Sequence, residues 1–123
     1  MNISIPMDIK NIKETICKSF GRAPYYLIYN IKNHEYEFID NPAIRSIGGA
    51  GVKAAQSIVD SGAKVLLVLR CGINAAEVIR GSGLEIYKAK EVSAIENVNM
   101  YINGQLNILE EIHSGFHGTG DLK

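Results

Sequence analysis

Along the first third of the chain apolar residues alternate with polar ones, and further on they recur at helical spacing around one unbroken apolar run. Ile3 to Ile5 alternate with polar neighbours and stop at Pro6, which predicts a short first strand. Pro24 bars helix, and the stretch 25–31, Tyr-Tyr-Leu-Ile-Tyr-Asn-Ile, is rich in strand formers. Residues 35–39 alternate again, so with Lys32-Asn33-His34 as the turn the two runs predict an antiparallel hairpin, closed by Asn41-Pro42. Val52, Ala55, Ile58 and Val59 mark a helix that stops at Ser61-Gly62. The apolar run 65–69 reads as a central strand covered on both faces. A short helix from Asn74 to Arg80 follows, with Asn74 as its cap, then a strand at 84–87. Val92, Ile95, Val98 and Ile102 set a third helix, closed at Asn103-Gly104. Between the first two strands lies a long polar connection, residues 7–22, with a helical turn around Asn11 to Cys17.

The succession β-β-β-α-β-α-β-α predicts an α/β fold. A mixed five-stranded sheet in the order 3-2-1-4-5, with strand 2 antiparallel, carries its helices on both faces through right-handed crossovers. Residues 1–104 form one domain, and 105–123 read as a C-terminal extension, partly disordered. In such sheets ligands collect beyond the carboxyl ends of the strands. That edge would gather the connection 7–22, the loop before the first helix, and the turn Arg70-Cys71-Gly72-Ile73-Asn74.

The loop before the first helix holds the densest chemistry. Gly48, Gly49 and Gly51 lie within four residues and lead into a small-residue helical run. Free amides at the positive end of a helix dipole, on a backbone that a ligand can approach closely, suit an anion. A tight strand-to-helix turn would use the same glycines for packing alone.

Composition narrows the classes. Of 123 residues 13 are Lys or Arg and 13 Asp or Glu, and the zero net charge argues against a general nucleic-acid or acidic-membrane binder. No apolar run approaches the roughly 20 residues of a membrane span, and the N-terminus lacks a signal-peptide pattern, so a cytoplasmic location is expected. Cys17 and Cys71 stand far apart with no CxxC pair, which reads as two free thiols.

The segments Phe20-Gly21-Arg22-Ala23-Pro24, Gly48-Gly49-Ala50-Gly51-Val52-Lys53-Ala54-Ala55 and Gly72-Ile73-Asn74-Ala75 resemble the dinitrogenase iron–molybdenum cofactor biosynthesis family, of NifX and NifB C-terminal type. The likeness covers about residues 3–104. It implies a three-layer ribonuclease H-like fold and a non-catalytic role, binding or carrying an iron–sulfur or iron–molybdenum cluster or its precursor alongside assembly proteins. Members of the family commonly carry histidine, a natural cluster ligand, just before the Phe-Gly-Arg segment. Here that position is Ser19, a poor ligand for soft metals, and Ile73 stands where proline often follows the later glycine.

The candidate cofactor-binding residues are therefore Ser19, Phe20, Arg22, Gly48, Gly49, Ala50, Gly51, Gly72 and Asn74. Arg22 is the foremost, because a planar, permanently charged fork suits carboxylate, phosphate or a negatively charged cluster. Cys17 and Cys71 are the thiols that could replace the absent histidine, although free cysteines commonly serve as small buried hydrophobes. His113 and His117 stand four apart in a glycine-rich tail and form a second, weaker metal candidate. Two other functions use the same residues: a metal-free sensor of small anions or nucleotides, and an interaction module within an assembly complex. A nuclease needs converging carboxylates, and Asp8, Glu14 and Asp40 are scattered. No catalytic triad emerges from the spacings, so no enzyme is expected.

Overall fold

The computed structural model describes residues 1–110. Its elements are β1 (Asn2–Met7), β2 (Tyr25–Asn30), β3 (Tyr36–Asp40), α1 (Ala50–Asp60), β4 (Val65–Val68), α2 (Ile73–Gly81), β5 (Glu85–Lys88) and α3 (Ala94–Ile102). One sheet runs β3-β2-β1-β4-β5, as the pattern predicts. β2 is antiparallel to both neighbours, and β1–β4 and β4–β5 are parallel.

Two packed layers flank the sheet. On one face Ala54, Ala55 and Ile58 of α1 and Ala75, Ala76 and Ile79 of α2 cover Tyr26, Leu66, Val68 and Ile86. The alanines let both helices lie close to the sheet and to each other. On the opposite face Ala94 and Val98 of α3 meet Ile3, Ile5, Met7, Leu27, Val65 and Leu67. β4 is apolar on both sides because it is buried on both sides.

Some boundaries differ from the sequence reading. β1 continues through Pro6 to Met7. The Pro6 carbonyl accepts from the Cys17 amide at 2.8 Å. Since N–H and C=O of a strand residue point to the same side, the donor that proline lacks is not one that would reach β2. Of the helical turn expected around Asn11 to Cys17, one turn forms at residues 11–14, where the Glu14 amide donates to the Asn11 carbonyl at 3.1 Å. Beyond it Thr15 bridges Ser93 and Ile16 bridges Met7, so residues 15–16 are extended and docked against the start of α3. Asn74 is not a cap: α2 begins at Ile73 behind Gly72, which places Asn74 in its first turn. α3 starts two residues later than Val92, set by a Ser93–Glu96 capping box. Beyond 104, Leu106 and Leu109 are buried, and Ile108 bridges Tyr87 on the outer side of β5.

Candidate functional site

The carboxyl ends of β1, β3, β4 and β5 share one edge, and there a cleft of about 650 Å³ opens. Three segments build it: residues 18–22 after β1, residues 49–52 at the start of α1, and residues 70–75 around the start of α2.

Buried polar contacts shape the first segment. The Tyr26 hydroxyl donates to the Phe20 carbonyl, with the two rings 5.4 Å apart, which holds the loop onto the sheet. Ser19 Oγ accepts from the Arg22 amide at 3.2 Å, so this hydroxyl closes a local turn. Buried Asn41 joins this loop to the one after β3: its Nδ2 donates to the Gly21 and Ala23 carbonyls at 3.0 and 2.9 Å, and its Oδ1 accepts from the Ala43 amide at 2.8 Å. The Arg22 guanidinium spans the same gap, donating to the Ser46 carbonyl at 3.3 Å while remaining exposed.

Two glycines have a geometric reason. A Cβ on Gly21 would stand 3.2 Å from Gly51 Cα, so the first loop rests directly on the backbone of α1. Gly49, at φ 68°, turns the chain into α1 through the left-handed region that side chains disfavour.

Both helices that face the cleft start without a side-chain cap and without an acidic residue in the first turn. The amides of residues 50–52 and 73–75 therefore have no intrahelical partner and, among the described residues, no side-chain one. Lys18, Arg22 and Arg70 add positive charge to the lining, and among the described residues no lining residue is acidic.

The floor is apolar and carries thiols. Cys71 lines the cleft and Cys17 lies buried in the same core layer, where its Sγ contacts the Ser19 carbonyl at 3.4 Å. Burial raises both thiols, Cys71 to about 11 even against the lowering influence of Arg80, so both keep their protons at neutral pH. Burial also raises the Tyr26 phenol, with the two thiols as lesser contributors.

A family model described as dinitrogenase iron–molybdenum cofactor matches residues 1–104. The chain belongs to that family. A protein of Methanocaldococcus jannaschii, itself named only as uncharacterised, is 29% identical over 113 residues, 89% of this chain and 92% of its own. Among solved structures, one from Thermotoga with a provisional NifB name is 26% identical with a TM-score of 0.80, covering 94% of this chain and 98% of that one. The apo form of the orange protein from Desulfovibrio gigas reaches a TM-score of 0.87 at 24% identity, over 91% and 95% of the two chains, which shows a shared fold.

Of the residues singled out in the sequence, Ser19, Phe20, Arg22, Gly49, Ala50, Gly51, Cys71, Gly72 and Asn74 come together in the cleft lining. Gly48 lies outside it, on the exposed approach to α1. Cys17 sits below the lining, and His113 and His117 fall outside the described residues. Among the described residues no group of three or more potential ligands converges for a metal ion, and no helix is long and apolar enough to cross a membrane. Sequence reasoning brought the turn with Arg70 and the connection with Lys18 to this edge without singling out either side chain, and it missed the positioning role of Asn41. Lys18 and Arg70 stand beside Ser19 and Cys71, and that adjacency was the available signal. Nothing local in the sequence marked the Asn41 bonds, which span about twenty residues.

Proposed function

We propose that the protein binds and carries a preformed anionic metallocluster or its precursor, of iron–sulfur or iron–molybdenum type, without transforming it. One observation carries this reading: a cleft where two helix starts and three cations converge and where, among the described residues, no carboxylate intrudes. Membership of a family named for the iron–molybdenum cofactor supports the class of cargo.

Magnitudes are consistent with it. One helix terminus contributes about 0.3–1 kcal/mol when exposed and about 2 when partly buried. Charge-assisted hydrogen bonds contribute about 1.5–3 kcal/mol each. Two termini with two or three such bonds reach the roughly 8 kcal/mol of micromolar binding, which one terminus with Arg22 would not. The donor set suits a cargo whose outer sulfur or oxygen atoms accept hydrogen bonds while its metals keep their own ligands.

The presence of Cys71 in the lining supports an alternative mode, in which the Cys71 thiol releases its proton to solvent as its sulfur replaces an exchangeable outer ligand on a metal of the cargo, with Cys17 assisting in place of the family's histidine. Anaerobic reconstitution with iron and sulfide, followed by gel filtration and visible spectroscopy, tests both. Coloured metal should co-elute with the protein and be lost in Arg22→Gln. Equal iron uptake by Cys17→Ala/Cys71→Ala would leave hydrogen bonding and charge as the sole means of retention. An uncoloured protein whose melting temperature rises with nucleotides would replace the carrier reading by the sensor one.

A further inference from the structure

Beside the main cleft lies a second concavity of about 450 Å³, beyond the carboxyl ends of β4 and β5. Lys18 and Arg70 line both, so the two are lobes of one trough. Lys88 and Lys90 complete the second lobe, with Glu91 as its single carboxylate among the described residues. Charge is thus segregated in a chain of zero net charge: among the described residues five cations, counting Arg22, gather along one rim against one anion.

The walls of the second lobe are fixed. Lys88 Nζ donates to the Leu69 carbonyl at 2.8 Å, which anchors the ammonium at the end of β4 and leaves it two further donors. The Ala89 amide extends the sheet pairing to the Val68 carbonyl at 2.8 Å. Fully buried Asn97 accepts from the Lys90 amide at 2.8 Å and donates to the Lys90 carbonyl at 3.1 Å, which fixes the backbone that carries Lys90. Holding like charges together on a rigid frame costs electrostatic energy, and a second anionic group in the lobe would relieve it.

We propose that the ligand of the main cleft is an extended polyanion, and that its second charged group is seated by Lys88 and Lys90 in the adjoining lobe. This rests on the reading of the main cleft as an anion site. A metal-containing polyanion and a phosphate chain share this chemistry.

Orthophosphate and tripolyphosphate are titrated at low ionic strength into the wild-type protein and into Lys88→Gln/Lys90→Gln, following backbone amide NMR signals. Tripolyphosphate should shift residues of both lobes, Gly51 and Asn74 as well as Ala89, and bind about fivefold or more weakly to the variant. Orthophosphate should shift Gly51 and Asn74 with unchanged affinity. Lys90→Gln alone, which spares the Lys88–Leu69 bond, should give an intermediate loss and covers the case in which the double variant folds poorly. Tripolyphosphate binding that is unaffected by the substitutions overturns the proposal. So does an equal loss for orthophosphate, or for Lys32→Gln/Lys64→Gln at the opposite edge of the sheet. Orthophosphate that leaves Gly51 and Asn74 unmoved instead removes the main-cleft reading. Weaker retention of reconstituted iron by the variant assigns the lobe to the cluster cargo, and unchanged retention with weakened tripolyphosphate assigns it to a phosphate chain.

Discussion

Helix α3 and the pair α1 and α2 begin in opposite ways. At α3 every early donor is used: the Ala94 amide bonds the Glu14 carbonyl, Ile95 the Ile12 carbonyl, both at 2.9 Å, and Glu96 the Ser93 hydroxyl at 3.1 Å. The Glu96 carboxylate reaches back to the Ser93 amide and lies against the positive end of the dipole. The α1 and α2 starts have glycine caps, no capping side chain and no acid in the first turn. One chain contains the means to satisfy a helix start and applies it on the face away from the cleft. The open starts are therefore a property of the site, held there by tertiary contacts such as Asn41 and the Gly21–Gly51 approach.

The largest way to break this contrast is to remove what holds the open ends in place. Asn41→Ala leaves the buried carbonyl of Ala23 and the partly buried one of Gly21 without their side-chain partner. It should lower stability by about 3 kcal/mol in denaturant unfolding and abolish anion binding, since hydrogen bonds are worth about 1 kcal/mol each and stranded partners add to the cost.

Next comes the thiol floor beneath them. Cys71 rises from 9.0 to about 11 on folding, so its contribution is whole below pH 9 and is lost as pH climbs to about 11. Stability should fall by roughly 2–3 kcal/mol across that window on account of this thiol, at 1.36 kcal/mol per unit. Cys71→Ala should flatten that part of the profile measured by chemical denaturation.

Opening the closed helix is smaller. Ser93→Ala should cost about 1 kcal/mol, with anion affinity unchanged. A loss of affinity would mean that the two helix ends are coupled through the docked segment 12–15.

Closing an open end gives the smallest change in stability and sharpens the contrast most. Asn74→Asp places a carboxylate in the first turn of α2, which should raise stability by about 0.3–1 kcal/mol by the dipole effect. Anion affinity should fall at the same time. Gain in one measurement with loss in the other is the signature of a helix start left open for a ligand, and loss of both would contradict it.

Several of these features were legible in the chain. Strand order follows from three strands of hairpin character preceding two strand–helix units, because right-handed crossovers leave few alternatives. The glycine run, Arg22 and the turn at 70–74 could be assigned to one edge on the same ground. The docked course of residues 15–16 was not legible, since local polarity says nothing about a bridge to Ser93 some eighty residues away. Asn74 illustrates the opposite error: a good capping residue type sits one turn position inside the helix, because packing of Ala75 and Ala76 against the core sets where α2 starts.

Periodicity and residue type by themselves determined the layers, the strand order and the presence of donor-rich turns, because those depend on which faces must be buried. Only the tertiary structure decided that the side chains of Lys18 and Arg70 face the cleft, that both thiols are buried at its floor, and which helix starts lack a side-chain cap. Each of those depends on contacts between residues distant in sequence, and distance through space is not written in local pattern.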